Sequence, residues 1–340
     1  MVPGMSVTSP PVLFSERGQM MLVHPVKRVL VVGGGTMGQQ IGLQCATYGF
    51  EVVLNDVSDH QLELAQEALV KFASQMMQDL ELSRTQVDAA LARIQYISDP
   101  VAAAKDADLL SECVPEDMWL KRQVFGQYHE LCPPHTLFTT NTSTFLPREI
   151  VKSSKRRNRF AVLHFHPNVW DASVVDLMPT RMTAPEVTEA LRQFAIAIGQ
   201  IPIVFRKQHR GFVMNTFLFG CFRHALSMVA REIASPEDID RAFMGTLKSD
   251  AGPFGLIDRV GLDTMLEINS FWCKRFLLLP YLEPVNWQNR RLLKSYIARG
   301  HLGIKSGQGF YSYPDPAFQQ PEFLARKTVR PEIMDGLKSS

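Results

Sequence analysis

The stretch from Lys27 to Asp56 restricts this chain more than any other. Val29–Val32 is a short β-branched and Leu run that reads as a buried strand. Gly33, Gly35 and Gly38 follow it directly at G-x-G-x-x-G spacing, with Thr36 and Met37 between the last two. Met37, Ile41, Cys45 and Tyr48 then recur at helical spacing, and Gly49 closes that helix. A second apolar run, Val52–Leu54, leads to Asp56. Strand, glycines, helix, strand and terminal acid arrive within about thirty residues, the size of one βαβ unit. Each part suits a dinucleotide. Gly33 permits the tight turn, Gly35 lets backbone approach a pyrophosphate on the helix N-terminus, and Gly38 lets helix and strand pack closely. Asp56 can accept hydrogen bonds from a ribose diol and would repel a 2′-phosphate, which favours NAD over NADP. No Arg follows it, since the next residues are Val57, Ser58 and Asp59.

A chain of 340 residues has room for two cores. Its net charge of +2 carries no global footprint for nucleic acid. The five cysteines, Cys45, Cys113, Cys132, Cys221 and Cys273, are scattered without metal-ligand spacing. That predicts no metal site, no disulfide framework and a reducing, cytoplasmic setting. No apolar run is long enough to span a bilayer, and Met1 to His24 lacks the pattern of a cleaved signal. Residues 1–26 read as a flexible N-terminal extension.

Beyond Asp56 a helical hairpin, about Gln61 to Asp79 and Ser83 to Ile94, is an insertion in the simplest crossover; Leu62, Leu64, Ala65, Leu69 and Phe72 form its apolar face. Alternation then resumes. Ile94–Ile97, Asp108–Ser111, Thr136–Thr140, Phe160–Phe165, Ser173–Leu177 and Ile201–Phe205 read as strands, and Glu116–Leu131 and Glu186–Ile198 as helices. The fold class is α/β: a Rossmann-type, mainly parallel, doubly wound sheet over residues 27–206. From Phe212 the pattern is helical throughout, over Val213–Ile233, Pro236–Gly245, Gly255–Phe276 and Asn286–Ala298. Runs such as Phe217–Phe222 and Phe271–Leu279 are apolar on all sides, so residues 207–313 are expected to form an all-α domain that dimerises. Residues 314–340 are a Pro-rich, charged tail.

In open parallel sheets ligands lie beyond the carboxyl ends of strands, so the polar residues there carry the information. Glu112 and Glu116 follow one strand, with Lys121 on the next helix; Asn141, Thr142, Ser143 and Thr144 follow another. His164 and His166 end a third, Asp176 lies on what should be its neighbour, and Asn215 opens the second domain facing the interdomain cleft. His166 reads as a pocket or surface residue, and the basic run Lys152–Arg159 as a solvated loop.

These segments resemble the NAD-dependent 3-hydroxyacyl-CoA dehydrogenases, including the 3-hydroxybutyryl-CoA type, over about Lys27 to Tyr313. The likeness runs through Val32–Gly38, Glu112–Glu116 with Lys121, Asn141–Thr144, Arg159–Phe165, Gly211–Asn215, Gly252–Asp258 with Val260–Thr264, and Lys305–Tyr311. It implies a place in fatty acid metabolism and an acyl-CoA or other acyl-thioester substrate. It implies His164 as general acid/base and Asp176 as the carboxylate that orients its ring. Ser143 and Asn215 would hold the substrate oxygen and the histidine, and Glu116, Lys121, Ser143 and Lys305 would contact NAD. The chemistry agrees, because hydride leaves carbon only as its hydroxyl loses a proton, and an imidazole suits that task near neutral pH.

Three departures stand out. Asp176 replaces the family's Glu; Pro167-Asn168 replaces its Asn-Pro; and the hairpin holds only Lys71, Arg84 and Arg93 as bases. The carrier is therefore left open between CoA, a carrier protein and none. The same chemistry on a small polar hydroxy acid, of sugar-acid or carnitine type, remains an alternative, as does a non-catalytic NAD-binding scaffold.

Overall fold

The computed structural model describes residues 25–275 and 283–325, with the side chains of residues 269–286 outside that description. The readings made for residues 1–24, for the side chains of Phe271–Leu279 and for the tail beyond residue 325 lie outside the described residues. The chain forms two compact units, divided between Phe212 and Val213.

The first unit opens with β1 (Arg28–Val32), α1 (Thr36–Thr47) and β2 (Glu51–Asn55). The hairpin insertion follows as α2 (Asp59–Asp79) and α3 (Arg84–Leu91). Next come β3 (Ile94–Tyr96), α4 (Pro100–Ala104), β4 (Leu109–Glu112), α5 (Met118–Leu131) and β5 (Leu137–Thr140). It ends with α6 (Pro147–Ile150), β6 (Phe160–Phe165), α7 (Val169–Ala172), β7 (Val174–Pro179), α8 (Pro185–Ala197) and β8 (Ile201–Val204). One eight-stranded sheet runs in the order β3-β2-β1-β4-β5-β6-β7-β8. The pairs from β3 to β6 are parallel; β7 runs antiparallel to β6, and β8 parallel to β7. The order reverses between β1 and β4, which places the ligand crevice at the carboxyl ends of those strands.

Local chemistry explains the boundaries. Val29, Leu30 and Val31 are buried from both sides, as a central parallel strand requires. The Ser58 hydroxyl caps α2, and Ser83 with Gln86 forms a capping box on α3. Leu62, Ala65 and Leu69 bury the inner face of α2, whereas Leu64 points outward, two positions from Leu62 and so across the helix. The short helices α4 and α6 were not foreseen. Both carry a proline at the first turn, preceded by Asp99 in one and answered by the Glu149 carboxylate in the other.

The second unit is helical: α9 (Val213–Ala230), α10 (Pro236–Leu247), α11 (Pro253–Val260), α12 (Leu262–Arg275) and α13 (Glu283–Ile297). The single helix expected over Gly255–Phe276 is two, because Gly261 at φ +95° breaks it. Phe222, Leu226, Phe254, Ile257, Leu293 and Phe310 make its core. Two buried carboxylates tie that core to the returning chain. Asp240 accepts from the Phe254 and Gly255 amides and the Tyr311 hydroxyl, and Asp258 from the Phe310 and Tyr311 amides and the Tyr313 hydroxyl. Among the described residues no helix is long and apolar enough to cross a membrane.

Candidate active site

At the crevice the glycine-rich turn is shaped by close contacts. Gly33 sits at φ +110°, and a Cβ there would lie 2.7 Å from the Cys113 carbonyl that follows β4. A Cβ on Gly38 would run into the carbonyl oxygen of Gly33. Gly35 is the opposite case, since a Cβ there would meet open space. Gly35 is also the N-cap of α1, and that terminus has neither a side-chain cap nor an acid in its first turn. The amides of Thr36, Met37 and Gly38 therefore form an uncapped helix start beside a cradle, which fits the pyrophosphate of NAD. Asp56 at the end of β2 accepts from the Gly34 amide at 2.6 Å and the Val57 amide at 2.7 Å. Its carboxylate thereby braces the turn while keeping lone pairs for ribose hydroxyls.

Beside this turn lies a charged cluster that the sequence presents only as scattered residues. Glu112 is not a free strand-end acid. It is the last residue of β4, wholly buried, and takes Lys121 Nζ at 2.7 Å, the Val114 amide at 2.8 Å and the Thr140 hydroxyl at 2.6 Å. Burial pushes its carboxyl above the ordinary range, against the pull of Lys121. Lys121 is itself buried, and also reaches Glu116 at 3.2 Å. Glu116 in turn accepts from the hydroxyls of Thr142 and Thr144 and from the Thr144 amide. Burial would raise the Glu116 carboxyl, but Lys121 and the two hydroxyls hold it below its ordinary value. The loop after β5 is thus gripped on both sides of Ser143, which is left exposed. Asn141 in the same loop accepts from the Phe165 amide at 2.8 Å and ties it to β6.

The imidazole–carboxylate pair arises from register. In the antiparallel β6–β7 ladder, His164 stands directly opposite Asp176. Nδ1 of His164 lies 3.1 Å from Oδ2 of Asp176, with His164 6% exposed and Asp176 fully buried. The Phe212 ring covers the imidazole at 4.6 Å between centroids. Burial, aided by repulsion from His166, holds His164 below its usual range against the pull of Asp176. Burial would raise Asp176, yet the imidazoles of His164 and His166 beside it hold it below the usual carboxylate range.

His166 is the residue that sequence reasoning underweighted. Its Nε2 lies 3.2 Å from the same Oδ2 of Asp176, and its ring stands edge-on to His164 at 4.8 Å. Period two carried one residue past the end of β6 was the available signal, since it puts residues 164 and 166 on one face. Asn168, to which no cofactor role was given, occupies the left-handed region at φ +59° and bonds through its amide to Gln40 of α1. Asn215 and Lys305 belong to the second unit: Asn215 opens α9, and Lys305 pairs with Asp263 in the first turn of α12. Of the hairpin bases, Arg84 pairs with Asp88 at 2.9 Å and Arg93 reaches the Ala89 carbonyl at 3.0 Å, while Lys71 is exposed.

A switch-point crevice, an open helix start and a buried imidazole backed by a carboxylate mark a dinucleotide-dependent dehydrogenase. A family model described as "3-hydroxyacyl-CoA dehydrogenase, NAD binding domain" matches residues 28–208, and one described as "3-hydroxyacyl-CoA dehydrogenase, C-terminal domain" matches residues 211–313. The human mitochondrial hydroxyacyl-coenzyme A dehydrogenase is 32% identical over 85% of this chain and 91% of its own length. The solved (S)-3-hydroxybutyryl-CoA dehydrogenase of Ralstonia eutropha superposes with a TM-score of 0.76 at 28% identity, over 85% of this chain and all of that one. A solved diketoreductase, described as acting on dicarbonyl compounds, gives 0.78 at 34% identity with the same coverage. The chain belongs to the 3-hydroxyacyl-CoA dehydrogenase family, and is an NAD-dependent oxidoreductase of that family.

Proposed function

We propose that the chain interconverts a 3-hydroxyacyl-CoA and its 3-oxoacyl form with His164 as the proton-transferring group. The observation that supports this most directly is the buried contact of 3.1 Å between His164 Nδ1 and Asp176. When bound, NAD supplies the site that accepts or returns the hydride. The ionised Asp176 commits Nδ1 to carrying a proton, which leaves Nε2 as the base that takes the proton of the 3-hydroxyl. Depression of the imidazole below its usual range keeps that base neutral at physiological pH. Ser143, held out by the Glu116 clamp, is assigned to the substrate oxygen, and Asn215 keeps the role that the family resemblance implies. Glu116 positions that loop for the nicotinamide end, with Lys121 behind it, and Lys305 is assigned to cofactor binding from the second unit.

The test is turnover of acetoacetyl-CoA with NADH by the whole chain and by His164→Gln. Loss of roughly 10²–10⁴-fold in kcat with NADH binding retained is expected; unchanged turnover rejects the role. The diketoreductase relative supports a second reading, a free dicarbonyl or hydroxy acid substrate. A panel of such acids beside CoA thioesters separates the two, since absence of thioester turnover removes CoA. The exposed Phe217 and Trp287 of the helical unit, 72% and 62% accessible, support a homodimer through that unit. A monomeric mass by light scattering would count against it. The described cysteines are free, which suits a reducing compartment such as the cytoplasm.

A further inference from the structure

We propose that His166 is a positioning residue for this reaction, dividing the Asp176 carboxylate with His164 and so weakening that carboxylate's hold on the proton-transferring imidazole. The inference rests on the assignment of His164 given above. Asp176 offers two oxygens, and their use is uneven. Oδ2 faces Nδ1 of His164 at 3.1 Å and Nε2 of His166 at 3.2 Å, while Oδ1 is buried without a hydrogen-bond partner among the described residues. The His166 contact lies within ion-pair distance but off the hydrogen-bonding line. Both rings therefore face the same oxygen, and Oδ1 serves neither. A carboxylate with one charge then serves two rings, whereas a paired histidine ordinarily has the whole of it.

Among the described residues, the groups named as acting on His164 are few. From β7 the charged group is Asp176, and from the segment before α5 it is Glu116, which raises the affinity of His164 for a proton. Phe212 lays its ring against the imidazole. His166 opposes the two acids in two ways. It takes a share of Asp176, and when protonated it places a like charge on a ring 4.8 Å from His164. Both effects keep His164 neutral to lower pH than a single acid–imidazole pair would.

This yields a signature that a purely structural role would not produce. Oxidation of the hydroxyacyl substrate needs neutral His164, so kcat/KM falls on an acid limb; reduction needs the protonated ring and falls on an alkaline limb. Replacing His166 by Phe returns all of Asp176 to His164 and moves both limbs to higher pH together. At a pH on the acid limb, a limb displaced by about half a pH unit slows oxidation about threefold relative to wild type, since a full unit is tenfold. His166→Gln keeps a neutral donor toward Asp176, and its limbs fall between the two. The pH profiles are recorded in both directions with acetoacetyl-CoA and 3-hydroxybutyryl-CoA, on protein whose NADH binding is intact. Limbs that coincide with wild type in both variants, or that move in opposite directions, overturn the proposal. Should His166→Phe fail to fold, the His166→Gln limbs decide alone, with the same two outcomes. Full turnover by His164→Gln would instead show the underlying assignment to be at fault, which the His166 profiles by themselves do not report.

Discussion

Asp176 in the sheet and Asp258 in the helical unit are both buried carboxylates, 0% and 1% exposed, yet they are pushed in opposite directions. Asp176 is held below its ordinary range, while Asp258 is raised from 3.8 to about 6. Burial raises both. The difference lies in the partners. Asp176 faces two imidazoles, which can carry positive charge. Asp258 faces two amides and a tyrosine hydroxyl, which are dipoles, and it is near Asp240, a like charge. Ionisable partners overcome desolvation here and dipoles do not. One carboxylate is matched to imidazoles that can carry a proton, the other holds the 310–313 segment against α11.

The contrast is sharpest in a crossed pair of substitutions. Asp176→Asn keeps the shape and removes the charge that fixes the imidazole, so kcat should fall by about 10²-fold or more, with the melting temperature little changed. Equal losses in both measurements would erase the distinction. Asp258→Ala leaves two amides and a hydroxyl facing a void, and should cost about 2–4 kcal/mol in denaturant unfolding. An unfolding midpoint within error of wild type would show that the amides find other partners. The smallest effect is on the pH dependence of stability. A carboxyl raised on folding binds its proton more tightly in the native state, so the Asp258 contribution is full below about 3.8 and declines as pH rises toward about 6. A carboxyl lowered on folding does the reverse, and the Asp176 contribution declines as pH falls through the acid range. Thermal melts between pH 3 and 7 of wild type and of each Asp variant should show these opposite slopes in the differences.

Much of this architecture is written in local pattern. The β1–α1–β2 unit, the capped hairpin and the helical second half follow from period, glycine placement and capping residues, which act within a few positions. Strand-end reasoning put His164 and Asp176 on neighbouring strands, but their pairing came through resemblance, because the partners meet by register. The mutual contacts of Glu112, Lys121 and Glu116 were hidden for a related reason. A helix-start lysine reads as solvated, and nothing in its own neighbourhood in the chain says that α5 turns it under the sheet edge onto Glu112. His166 was within reach, since alternation along a strand puts it on the face of His164, but its use depends on how far an Asp on the next strand extends.

The antiparallel turn from β6 into β7 has a consequence for how such sites diversify. Because His164 and Asp176 are cross-strand neighbours, their meeting depends on the ladder and not on the number of residues joining the two strands. Insertions confined to α7 leave the dyad in place, while a slip of one residue sends the carboxylate to the opposite face. The two strands thus behave as a cassette. Beyond His166, the connecting segment can change in length without moving the two residues out of register.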